Sequence, residues 1–218
     1  MAHNVPISPL GGEIRARTPF KGRSGDVREA ALTLFAERGY HGTTMNDIAG
    51  ALGIRAPSLY NHISSKQEIL REIITDTMDQ VLADFEAATA GVHDVADRLR
   101  RATEVYVLRH AQHRREALIV NRETQSLEPP ARSTARAKQD EYARRFRDLI
   151  EEGRAAGRFH VKSPRLAMFA ILEMAVTVAR WFRDEGPLSA REVAEEYGEF
   201  ALRIVGFSES SCKAGLDH

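Results

Sequence analysis

The chain has 218 residues, 43% of them hydrophobic, with 31 basic and 31 acidic side chains and a net charge of +0. That composition is too apolar for global disorder, and the longest apolar run, residues 166–179, contains Glu173 and is too short to cross a membrane. The one cysteine, Cys212, excludes an intramolecular disulfide or a multi-thiolate metal site, and residues 1–10 carry no basic-then-apolar leader, so the sequence predicts a cytoplasmic protein. Charge is uneven: residues 1–66 sum to +3 and the remainder to −3, a polarity that suits a head meeting a polyanion.

Residues 1–24, with three prolines and three glycines, predict a flexible basic arm whose Arg15, Arg17, Lys21 and Arg23 could reach phosphates or a minor groove. Beyond it the periodicity is helical. Val27, Ala31, Leu34 and Phe35 mark one face of a helix that stops at Gly39. Thr44 and Asp47 form a helix-start box, followed by Met45, Ile48, Ala49 and Leu52 on a buried face, with Gly53 as the stop. Pro57 opens a short helix ending near His62. Ser65 and Glu68 form a second box, opening a helix through about residue 87. Further helices are expected at roughly 94–111, 113–125, 129–156, 164–184 and 189–206, punctuated by prolines and glycines. No run alternates with period two. The chain is therefore predicted to be all-α: a head over 25–66, a larger antiparallel helical bundle over 67–206, and a tail over 207–218.

The informative stretch is 43–62. Two helices crossing through a tight turn need a small residue on the first and a residue tolerant of a left-handed backbone in the turn; Ala49 and Gly53 supply them. Ile48, Leu52, Ile54 and Leu59 fill the wedge. These are the requirements of a helix-turn-helix. On the second helix the outward residues are Arg55, Ala56, Ser58, Tyr60, Asn61 and His62. Small side chains let the backbone sink into a major groove, and Arg55 suits a guanine edge. Thr44, Tyr60 and His62 can donate to phosphates, and Lys66 sits at a helix start that favours an anion. The full candidate DNA-binding set is Thr43, Thr44, Arg55, Ala56, Pro57, Ser58, Tyr60, Asn61, His62 and Lys66.

The succession Phe35-Ala36-Glu37-Arg38-Gly39-Tyr40-His41-Gly42-Thr43-Thr44, Asp47-Ile48-Ala49, Gly53, Ser58-Leu59-Tyr60-Asn61-His62-Ile63 and Ser65-Lys66-Gln67-Glu68-Ile69-Leu70 resembles the N-terminal domain of the TetR family of transcriptional regulators. Ile63 stands where the family pattern usually has Phe. The resemblance implies a three-helix DNA-binding head, a connecting helix from Lys66, and a C-terminal domain for ligand binding and dimerisation. It also implies a homodimer on a near-palindromic operator, usually a repressor released by a small molecule. The last two helices would build the dimer bundle, with Val176 on the first and Val193, Tyr197, Phe200 and Ile204 on the second.

Asn121-Arg122-Glu123 with Leu127, and Arg180-Trp181-Phe182 before Gly186-Pro187-Leu188-Ser189, are similar to a subgroup of this family that controls lipid, aromatic-acid and steroid degradation and responds to acyl-coenzyme A thioesters. Such a ligand would need arginines for its phosphates and an apolar groove for its acyl chain. Arg122, Arg180 and Trp181 are candidates, against the reading that they are surface or salt-bridge residues. Glu173, a carboxylate among apolar neighbours, is expected either to pair with an arginine or to line a ligand cavity. A non-thioester lipophilic effector is the alternative. No catalytic motif is present, so no enzymatic activity and no cofactor are expected. His110 and His113 lack further ligands for a metal site, which leaves a helical metal-binding protein as a distant alternative.

Overall fold

The computed structural model describes residues 23–61 and 63–208. The expected arm over 1–24 lies outside them except for its last two residues, as do His62 and residues 209–218 of the tail. Within the described residues the chain is helical: α1 (Arg23–Arg38), α2 (Met45–Ala51), α3 (Ala56–Tyr60), α4 (Lys66–Thr89), α5 (Val95–Gln112), α6 (Arg114–Glu123), α7 (Ala131–Ala155), α8 (Pro164–Trp181) and α9 (Ala190–Ile204), with a 3₁₀ turn at Thr124–Ser126.

Helix starts follow local chemistry. The Ser65, Asp94, Ser163 and Ser189 side chains each accept a backbone N–H from the first turn of α4, α5, α8 and α9. Glu192 closes a capping box at Ser189. Helix α8 stops three residues early, at Trp181 instead of 184. Phe182 leaves the helix with ψ 142 and packs inward with Val107, Ala111 and Ala175, so burial of one aromatic ring ends the helix.

Three apolar clusters hold the molecule together. The first joins α1, α2, Leu59 and Ile63 to Ile69, Leu70, Ile73 and Ile74 of α4, and continues into Ile119, Val120, Leu127 and Ala135. The boundary expected near residue 66 therefore separates roles and not cores. The second cluster lies between α4, α5, α7, α8 and α9, and the third between α5, α8 and α9. Helix α8 buries Ala167, Met168, Ile171, Ala175, Val178 and Ala179 but leaves Leu166 (68%), Phe169 (45%) and Trp181 (47%) exposed. The apolar run is therefore covered on one side only within the protomer.

Gly153 fixes the end of α7 against the loop that follows. A Cβ there would overlap Cδ2 and Cε2 of Phe159, a ring that is itself buried in the second cluster. Gly153→Ala should therefore destabilise the fold by about 3 kcal/mol through overpacking. A urea midpoint within error of the parent protein would contradict this packing.

Candidate functional site

The head is organised by its turns. Helix α1 ends at Gly39, whose φ of +78 an L-residue adopts only with strain. The Gly39 N–H donates to Phe35 O at 3.0 Å. At Thr44 both halves of a capping box are present: Asp47 N–H donates to Thr44 Oγ1 (3.1 Å), and Thr44 N–H and hydroxyl donate to Asp47 Oδ2 (2.8 and 2.6 Å). Those bonds from Thr44 hold the Asp47 carboxyl below its ordinary pKa. Between α2 and α3, Gly53 has φ +68 and Ile54 N–H reaches back to Ala49 O at 3.0 Å.

Helix α3 turns one residue inward. Leu59 is fully buried beside Ile48 and Ala49. Arg55, Pro57, Ser58, Tyr60 and Asn61 are exposed, and Ala56 is partly packed on the core. Among the described residues no hydrogen bond or ion pair engages the side chains of Arg55, Tyr60 or Asn61. Exposed donors and a planar guanidinium on the outer side of a second helix are what reading a major groove requires. Asn46, exposed on the first turn of α2, is a further polar group on the head that attention to the second helix overlooks. Its place two residues past the capping threonine, beside the inward Ile48, is the signal that would have found it.

Two residues expected to face DNA are turned inward. Thr43 is fully buried and its hydroxyl donates to Gly39 O at 2.9 Å. Lys66 Nζ donates to Tyr40 O (2.7 Å) and Thr43 O (2.6 Å) and lies 4.1 Å from the centroid of the Tyr40 ring. An ammonium has three donors, and two of them fasten the α1–α2 turn to α4. Burial holds the Lys66 pKa below its usual value. Lys66→Met should lower stability by about 2 kcal/mol, because two carbonyls lose a charged donor. The salt dependence of DNA binding should stay unchanged. A variant of full stability whose salt slope falls by about one would instead make Lys66 a phosphate contact.

In the larger bundle the interior is aromatic. Tyr106 lies 4.3 Å from His110 and 4.8 Å from Tyr142 between ring centroids, and Tyr142 and Phe146 pack on Phe85. The buried guanidinium of Arg109 pairs with Asp84, whose carboxyl burial nonetheless raises in pKa. Burial raises the Tyr106 hydroxyl as well, with a smaller contribution from the charge of Glu173. His110 Nδ1 meets Tyr106 O at 2.8 Å, which assigns the proton to that nitrogen.

Burial pushes the His110 pKa down to about 4, against an ordinary 6.5. Between those values the unfolded chain binds a proton that the folded protein refuses, so stability is intact above the higher value and falls with pH below it. The loss should reach about 2 kcal/mol at about pH 5. Urea midpoints at neutral pH and near pH 5 should show it in the parent and not in His110→Gln; identical pH profiles would contradict it.

The residues expected to meet a ligand do not converge. Glu173, Arg180 and Trp181 are exposed along one side of α8, with Trp181 against Tyr197. Arg122 is exposed at the far end of α6, beside the head. Of the residues expected at a dimer interface, Phe200 is exposed and Val176, Tyr197 and Ile204 are half-buried. Val193 packs within its own protomer in a cluster with Val107 and Ala175. Glu196, Phe200 and Arg203 further along α9 are exposed.

Residues 27–73 match the family model for bacterial regulatory proteins of the tetR family, and residues 92–205 match the tetracyclin repressor-like C-terminal domain. The transcriptional repressor KstR2 of Rhodococcus jostii (strain RHA1) is 31% identical over 184 residues, covering 83% of this chain and 90% of that protein. The structure of the ketosteroid transcriptional regulator KstR2 of Mycobacterium tuberculosis superposes with a TM-score of 0.80 at 27% identity, over 87% of this chain and 96% of that one. AibR, crystallised with isovaleryl coenzyme A and operator DNA, shares the fold with a TM-score of 0.74 at 23% identity, over 84% of this chain and 97% of that one. These relatives are transcriptional regulators and not enzymes. With an inward-anchored second helix, an outward polar face and both domain models matched, the chain belongs to the TetR family of bacterial regulatory proteins and is a DNA-binding transcriptional regulator.

Proposed function

We propose that the chain is a cytoplasmic repressor that sits as a homodimer on a near-palindromic operator and leaves it when a small lipophilic effector, an acyl-coenzyme A thioester, binds the larger bundle. The observation that carries the DNA half is the outer side of α3, where Arg55, Ser58, Tyr60 and Asn61 stand exposed while Leu59 holds the helix from within. In this reading Arg55 reads a base edge, Tyr60 and Asn61 position the helix on phosphates, and Thr44 sets the start of α2.

The dimer is supported by the bare side of α8 and α9. Leu166, Phe169, Trp181 and Phe200 leave a large apolar surface uncovered on neighbouring helices. A second copy related by a two-fold axis would cover it with the same surface and bring two heads to one side of the duplex. The effector half is supported by the similar ketosteroid transcriptional regulator KstR2 and by the isovaleryl coenzyme A held by AibR. Release requires only that the effector bind better to head spacings that do not fit the operator.

Fluorescence anisotropy with the duplex upstream of the chain's own gene tests this directly. Affinity should fall about a thousandfold between ~50 and ~200 mM salt as condensed counterions cease to drive binding. Two protomers should bind per duplex, and adding acyl-coenzyme A thioesters of increasing chain length should release it at micromolar concentrations. Release by free lipophilic acids or steroids and by no thioester would replace the effector class. Absence of any salt-sensitive binding would overturn the repressor reading.

A further inference from the structure

In the segment Asn121-Arg122-Glu123, Arg122 is the expected ligand contact, while the Glu123 carboxylate turns to the head. Glu123 Oε1 accepts the backbone N–H of Tyr40 at 3.1 Å. That N–H follows Gly39, and at a glycine-ended helix it commonly turns back to a carbonyl of the last turn; here α6 supplies the acceptor. The fit is close: a Cβ at Gly39 would lie 3.4 Å from the same oxygen. Glu123 Oε2 accepts from Ser126 Oγ at 2.9 Å, and Ser126 Oγ lies 3.1 Å from His41 Nε2. Since the serine proton is given to the carboxylate, His41 Nε2 must be the donor to Ser126. Gln67 closes the set, donating to Ser126 O at 2.8 Å and accepting Glu128 N–H at 3.2 Å. Leu127 is buried in the core of the head.

The other end of α6 touches different elements. Arg114 Nε donates to Ala179 O, in the last turn of α8, at 3.1 Å. Arg115 donates to Thr33 of α1 at 2.8 Å and pairs with Glu29. Helix α6 therefore spans from the last turn of α8, the helix with the bare side, to the turn that starts α2.

We propose that Glu123 is a positioning residue for operator binding: from the larger bundle it holds the Gly39–Tyr40 amide, and through it the turn that presents Thr44 and α2. A displacement of α6 then reaches the head at this turn, in addition to any tilt of α4. The proposal rests on the DNA-binding reading above and deepens it by naming where regulation enters the head. Glu123 touches no nucleic acid in this account; it acts through the Tyr40 amide. The coupling has a contiguous physical path, which is the minimum such a proposal requires.

The test uses the full-length dimer, the duplex upstream of its gene, and hydrogen exchange resolved at single amides. Glu123→Ala should weaken operator binding about tenfold, the loss of one charge-assisted hydrogen bond, with an unchanged salt slope because no phosphate contact is removed. The Tyr40 amide should exchange faster while core amides of α5 and α7 keep their protection. Glu123→Gln retains an acceptor oxygen and should recover most of the affinity. Ser126→Ala, which removes the buttress behind the carboxylate and the His41 contact to it, should cost about threefold and carries the test if Glu123→Ala does not fold. Operator affinity within twofold of the parent, a glutamine variant as weak as the alanine, or a uniform rise in exchange across all amides would overturn the proposal. A parent protein that ignores the duplex would sink the regulator reading instead, and the Tyr40 exchange alone would then decide the clasp.

Discussion

A helix of five residues cannot stand by itself, since isolated helices of that length do not repay nucleation. Yet α3, five residues long, is the element to which the proposed function gives DNA reading. Its place is set from inside by the burial of Leu59 among Ile48, Ala49 and Ile63, worth about 2 kcal/mol for a leucine side chain. The left-handed turn at Gly53 brings it to that site. Everything exposed on α3 is therefore oriented by what is buried beneath it. The same holds for α2, whose first turn is fixed by the Thr44–Asp47 box and by the carbonyls that Lys66 gathers from behind. The head presents its polar groups because its apolar and charged anchors leave no other arrangement.

How much of this could be read in the sequence follows the range of the forces. Capping boxes, the glycine turns, and the inward periods of α1 and α2 are decided within four or five residues, and the helix order follows from them. The role of Lys66 is not local: its carbonyl partners lie 26 and 23 residues away. At a helix start, an exposed lysine and an inward one look alike in sequence. Thr43 has the same ambiguity, since its hydroxyl turns to Gly39 O because the turn offers an unfilled acceptor there. Glu123 meets Tyr40 across 83 residues, and no spacing rule could have paired them.

The larger bundle shows a different limit. Its helices are legible from periodicity, but which side of an apolar helix stays bare depends on how many neighbours pack on it. Residues 166–179 are apolar on nearly every face, and within the protomer Leu166 and Phe169 of that run, with Trp181 just beyond it, stay uncovered. Glu173 accordingly stands on the exposed side and not in the core. Val193 illustrates the converse: it keeps the stripe's spacing, yet it packs into the protomer's third cluster. The interior around Tyr106 and His110 is packed core, with aromatic faces against the imidazole and the Arg109–Asp84 pair nearby.

The central claim is that the outer side of α3, held by Leu59, enters a major groove, and that two copies do so together. Dimethyl sulfate probing of guanine N7 on the bound operator measures this most directly, because that atom is reached only through the major groove. The account predicts two protected guanine clusters in successive or near-successive turns of one duplex face, each losing protection at one guanine in Arg55→Ala. Protection confined to a single cluster, or a pattern that Arg55→Ala leaves untouched, would contradict it.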